Sequence, residues 1–184
     1  MKSNYSHKLL MLLALIAGAI LPLAFAPFHW WPVALISPAL LLFTWSRATP
    51  WQAFWRGWLF GIGLFTIGAS WIYISIHVYG NANSVLAGLI TAIFIVIMGI
   101  FPATQGLLFA SVFKRTQLAT KCLLAFPAMW VVWEWLRSWV FSGFPWLFLG
   151  YSQIDSPLRG YAPLFGVYGV SLIITFISAC LLLF

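Results

Sequence analysis

Few side chains in this sequence can do chemistry, so each can be weighed by itself: two cysteines, three histidines, and only two Asp+Glu against nine Lys+Arg. Cys122 and Cys180 stand inside apolar segments, and neither their number nor their spacing suggests a metal site or a disulfide framework. They read as small packed side chains. His7, His29 and His77 are far apart, so neither a metal site nor a cofactor is expected. Glu134 and Arg137 are the pair with most chemical potential. They stand three apart on one helical face of the tryptophan-rich run Met129 to Trp139, where an ionisable group is costly unless it is paired or faces a water-filled cavity. Either they form a structural ion pair at the headgroup boundary, inside a tryptophan belt, or they hold a lipid headgroup or an extracytoplasmic domain.

The segment after them is the most patterned part of the chain. Ser142-Gly143-Phe144-Pro145-Trp146 leads into Leu149-Gly150-Tyr151-Ser152-Gln153-Ile154-Asp155-Ser156-Pro157 and Arg159. Ser156 followed by Pro157 can open a short helix, and Asp155 and Arg159 are at i and i+4. An ordered loop is expected. Its aromatic content places it in the interfacial layer.

The elements that position these residues follow from composition. Of 184 residues 64% are hydrophobic, 19% aromatic and 6% charged, with mean hydropathy +1.03. A soluble domain has about a quarter of its residues charged, so this chain cannot cover a water-facing surface; disorder would need the opposite balance. Crossing a bilayer as helix takes about 20 apolar residues. The uncharged runs Leu9 to Ser46 and Gly57 to Phe113 can each cross twice, with turn signals at Pro27 to Pro32 and Gly80 to Ser84. Barrel strands would alternate apolar and polar positions, and these runs do not. The expected fold is an all-α polytopic transmembrane bundle, residues 1–184, of about six spans at 9–25, 32–45, 55–76, 85–113, 118–139 and 166–184. The second is the shortest. Gly57, Gly61 and the Gly99 to Ala103 spacing permit close helix contact.

A cytoplasmic N-terminus puts Lys2, Lys8, Arg47, Arg56, Lys114, Arg115 and Lys121 inside and only Arg137 and Arg159 outside, as short cytoplasmic loops require. The long loop 140–165 is then extracytoplasmic, with shorter outer connections at Ala26 to Trp31 and His77 to Ser84. Topology and contact with anionic lipid thus account for the net charge of +7. The cations are scattered over loops, whereas nucleic-acid binding needs them gathered on one face. Lys2, Lys8 and the apolar run to Ala24-Phe25-Ala26 look like a signal peptide, but Pro27 after the cut and the apolar segment that follows favour an uncleaved first helix.

The loop GFPWLFLGYSQIDSPLRGYAPLFGVYG, the preceding WEWLR, and the turns FAPFHWWP and WIYISIHVYGN together resemble, in order, the membrane region of bacterial apolipoprotein N-acyltransferases. GFPW followed by GYSQ is the specific pairing. The resemblance implies a multi-pass protein of the bacterial cytoplasmic (inner) membrane that carries a nitrilase-like αββα domain on its outer face. It implies acyl transfer from a phospholipid donor, through a cysteine thioester, to the α-amine of a diacylglyceryl-cysteine on an apolipoprotein acceptor. The family's Glu, Lys and Cys catalytic set belongs to that soluble domain, which follows the helices, and this sequence stops at Cys180-Leu181-Leu182-Leu183-Phe184. A chain without the catalytic domain, truncated or a fragment, is therefore expected.

The residues present do not replace that set. Lys121 and Cys122 precede Glu134 by twelve or thirteen residues, roughly 18 to 20 Å of helix, so no catalytic residue is assigned. The positions that match the family loop, Phe144, Pro145, Trp146, Tyr151 and Gln153, with Glu134 and Arg137 behind them, are candidates for guiding acyl chains and docking the soluble domain. The alternative function is a non-catalytic membrane binding or interaction module. A small transporter is the weaker third reading, because mid-span charges are lacking.

Overall fold

The computed structural model describes residues 6–183; Lys2 and Phe184, which entered the topology and chain-end expectations, lie outside them. Among the described residues there are helices and turns and no strand. Helix α1 (His7–Ile20) is capped by Ser6, whose hydroxyl accepts from the Leu9 amide at 3.2 Å, and runs on through a tighter turn, Leu21–Ala24. Helix α2 is Val33–Trp45. Helix α3 (Pro50–Gly68) opens with Pro50 at its first position and a reciprocal cap between Thr49 and Gln52. After Gly68 the path bends by 49° into α4 (Trp71–Ile74) and the wider turn Ser75–Tyr79. Helix α5 (Ser84–Met98) is capped by Asn83, and Gly99 joins it to α6 (Ile100–Val112). Helix α7 (Leu118–Thr120), the wider turn Lys121–Ala125 and α8 (Phe126–Arg137) form one continuous helical rod. Helix α9 (Ala162–Leu183) is interrupted at Gly166, whose φ of 64° is outside the helical range.

The described helices have other limits than the expected segments. The third begins earlier than 55–76 and breaks inside it after Gly68, against which the Leu147 side chain packs, 2.5 Å from where a Cβ would stand. The sixth starts at Ala162, and Gly166 is a kink within it rather than its first residue. By length and composition three stretches can cross a membrane alone, His7–Ala24, Ser84–Val112 and Pro157–Leu183, and the bent pair Pro50–Gly68 with Trp71–Tyr79 makes a fourth. Val33–Trp45 has 13 residues, and the α7–α8 rod carries Lys121, Glu134 and Arg137.

Glycine positions set how closely the helices approach. A Cβ on Gly57 would stand 2.2 Å from the Pro102 carbonyl oxygen, and one on Gly61 would stand 2.7 Å from Gly99 Cα. Helices α3 and α6 therefore pack backbone to backbone at the positions the small-residue spacing indicates. Gly18 of α1 meets the Phe60 carbonyl of α3 in the same way. Trp45, Phe109 and Phe126 fill the core at one end of the bundle with tilted and edge-on ring contacts. Large apolar side chains such as Leu12, Leu89, Ile93 and Phe176 remain exposed on the outside, as lipid-facing surfaces require.

Candidate functional site

Helix α8 ends at Arg137, and the loop that follows folds back over its last turn. The Phe144 amide donates to the Arg137 carbonyl at 2.8 Å. Glu134 Oε1 accepts from the Leu149 amide at 2.7 Å and from Trp130 Nε1 at 3.0 Å, and Arg137 Nη2 reaches the Leu147 carbonyl at 3.5 Å. The carboxylate and the guanidinium thus fasten the loop by taking one of its donors and one of its acceptors. Both side chains are buried in the bundle, 4% and 6% exposed. Arg137 also lies over the Phe65 and Phe148 rings, at 5.4 and 5.0 Å.

These fastenings hold a conformation the loop would not choose alone. Phe141, Ser142 and Leu147 all have φ between 55° and 72°, where a side chain costs about 1 kcal/mol or more. Gly150 has a different task. Its amide donates to Ser171 Oγ at 2.8 Å, and a Cβ there would stand 2.3 Å from the Val167 carbonyl oxygen, so only glycine lets the loop lie flat on α9. Ser156 caps the turn Pro157–Tyr161, as expected. Asp155 departs from expectation: its carboxylate meets His29 Nδ1 at 2.5 Å, in the α1–α2 connection, rather than Arg159. The loop and that connection therefore lie side by side.

The seven candidate residues divide into two groups. Glu134, Arg137 and Gln153 are buried, and Phe144 is half-buried against the rings of Phe94 and Phe65 at 4.9 and 6.2 Å. Gln153 Nε2 donates to Ser152 Oγ, while its Oε1 has no partner. Pro145, Trp146 and Tyr151 face outward. Trp146 leans on Trp71 at 5.4 Å, and Tyr151 stacks on Phe148 with ring planes 3° apart. Rigid aromatic groups are thus presented on a surface whose underside is pinned by Glu134 and Arg137.

Beneath the loop is a small cavity of about 40 Å³ between α3, α6 and α8. Phe60, Phe65, Phe101, Trp133 and Leu147 supply apolar wall, and Gln105, Glu134 and Arg137 supply its polar groups. Gln105 Nε2 and Arg137 Nη1 have no hydrogen-bond partner, and Glu134 Oε2 has none of its own although the Ser171 hydroxyl stands near it. Its lining is apolar apart from these few unpaired polar atoms. Neither cysteine stands there: Cys122 is at the far end of the helical rod from Glu134, and Cys180 is in the last turns of α9.

Gln105, Trp130, Leu149 and Ser171 did not emerge from the sequence as site residues. Gln105 had a signal, since it is the lone side-chain amide of the apolar stretch Val85 to Phe113. Ser171 had one too, the Ser171, Thr175, Ser178 stripe in an apolar helix, all three fully buried. Leu149 had none, because it acts through its backbone amide.

Residues 17–180 match the model of a protein family described as the apolipoprotein N-acyltransferase N-terminal domain. Among individual proteins, an apolipoprotein N-acyltransferase of Coxiella burnetii is 63% identical over 171 residues, 93% of this chain and 35% of that protein. One from Methylococcus capsulatus is 48% identical over 94% of this chain and 34% of its own length, and one from Vibrio cholerae is 40% identical over 98% and 36%. The chain spans about a third of the length of these relatives. With the match running from the first helix through the pinned aromatic loop into the last, this chain belongs to the apolipoprotein N-acyltransferase N-terminal domain family.

Proposed function

We propose that this chain is the membrane portion of a phospholipid:apolipoprotein N-acyltransferase in the bacterial cytoplasmic membrane, with residues 140–165 on the extracytoplasmic face. Its task is to hold a phospholipid acyl donor and a diacylated apolipoprotein acceptor beside a catalytic domain, which supplies the nucleophilic cysteine. The observation that carries the reading is the family match from 17 to 180, which takes in the whole loop. The geometry supports it further: Trp146 and Tyr151 face outward from a loop whose underside roofs the apolar cavity. Holding two lipids in one plane beside the reacting groups replaces a three-dimensional search by a restricted one and orients the partners, which lowers the entropic part of the barrier.

The test is a chimera in which residues 1–184 replace the matching third of the Coxiella burnetii relative. Membranes carrying it should N-acylate a diacylated lipopeptide, and Trp146→Ala should lower the rate about tenfold while the amount of protein in the membrane is unchanged. A chimera that inserts normally but transfers no acyl chain contradicts the reading and leaves a non-catalytic interaction module. Full activity in Trp146→Ala removes the loop surface from the mechanism.

A further inference from the structure

The end of the bundle away from the aromatic loop contains two buried cations that the proposed acyl transfer does not use. Arg56 of α3 is 4% exposed and Lys121, at the start of the wider turn before α8, is 7% exposed. Arg56 donates through Nη1 to the Thr44 carbonyl at the end of α2, and its Nε has no partner. Lys121 Nζ stands 4.7 Å over the Phe109 ring. Trp45, which follows Thr44, is fully buried, with its ring 5.8 Å from that of Phe109 and its indole N–H unpartnered. The polar side-chain groups brought together here are donors.

The charge balance is what makes this informative. The sequence has two acidic residues, Glu134 and Asp155. Glu134 is thirteen residues along the helical rod from Lys121, about 20 Å, and Asp155 is paired with His29. No side-chain carboxylate of this chain can neutralise Arg56 or Lys121. A buried cation in a bundle surrounded by lipid carries a large cost without a counter-charge, so the partner must come from outside these side chains. Arg47, Lys114 and Arg115 are exposed on the connections at the same end, which raises the local concentration of anions further.

We propose that Arg56, Lys121 and the Trp45 indole N–H form a binding site for a phosphate oxyanion at this end of the bundle. A fork of guanidinium donors, a point ammonium charge and a neutral N–H donor suit a tetrahedral oxyanion with several acceptor oxygens. The site is separate from the loop cavity and its occupancy does not depend on acyl transfer. It would clamp α2, α3 and the turn before α8 together at this end of the bundle.

The test measures thermal unfolding of the 184-residue chain in a neutral detergent with three additions: dioleoylphosphatidylglycerol, dioleoylglycerol, and inorganic phosphate. The phosphate-bearing lipid should raise Tm in a saturable way and dioleoylglycerol should not. Lys121→Met, which keeps the apolar stem over Phe109, should weaken the apparent affinity about tenfold or more, and Arg56→Gln should do likewise. Arg47→Gln, an exposed cation, should change it less than twofold. If inorganic phosphate gives the same Lys121-dependent shift, the site stands and a free anion is its source. Stabilisation by dioleoylglycerol equal to that by the phospholipid overturns the proposal. So does a phospholipid effect unchanged in Lys121→Met, and this variant decides the matter even if Arg56→Gln does not fold.

Discussion

Glu134→Leu is expected to release the aromatic loop and to cost about 3–5 kcal/mol of stability, because it leaves two buried donors without their acceptor and the buried Arg137 guanidinium without the carboxylate charge that acts on it. Three groups lose their partner at once. The Leu149 amide and Trp130 Nε1 lose their acceptor, and Arg137 loses the opposite charge that acts on it. The left-handed backbone at Leu147, two residues before Leu149, then has less to hold it. Unfolding in detergent should show the stability loss, and hydrogen exchange should show the Leu149 amide becoming fast. Glu134→Gln keeps an acceptor oxygen and should lose less. A Glu134→Leu protein with unchanged Tm and a protected Leu149 amide would show that the carboxylate does not fasten the loop.

Gly57→Val should be about as damaging for a reason unrelated to charge. The new Cβ would be 2.2 Å from the Pro102 carbonyl oxygen, and backbone on both sides cannot yield as a flexible side chain can. Overpacking of ordinary cores costs about 1–3 kcal/mol, and this contact is with main chain, so about 3 kcal/mol is expected. Gly88→Val is the control. A Cβ at Gly88 meets nothing within 4 Å, and the substitution should leave the folded fraction unchanged. Equal loss in both variants would mean that intrinsic β-branched propensity, and not the α3–α6 approach, decides the outcome.

The helices and their order were legible in the sequence because local signals set them. Charges bound the apolar runs, Asn83 and Ser156 cap where their side chains can reach the next amides, and Gly57 and Gly61 mark a close approach that lies on one helix face. The packing at Gly68 was not legible, because the side chain that fills the space beside it is Leu147, a residue far along the chain. The ionic partner of Asp155 was misread for the same reason: Arg159 is near in sequence, but the fold places His29 nearer. In the site, Glu134, Arg137 and the aromatic positions could be found by type and by resemblance. How the pair serves the loop could not, since it acts on the backbone of Leu147 and Leu149, and main-chain groups leave no mark in residue identity.

For acyl transfer and for the oxyanion site, the aromatic loop and the cationic end must lie on opposite faces of the membrane. Single cysteines introduced at Ile154 and at Lys114, both exposed, report this through a membrane-impermeant maleimide added to spheroplasts. Cys122 and Cys180 should contribute little background, the first because it is fully buried and the second because it is partly so in an apolar helix. Ile154→Cys should label at once, and Lys114→Cys only after the membrane is permeabilised. Labelling of both without permeabilisation, or the reverse order, would contradict an outward-facing loop and with it the role proposed for this chain.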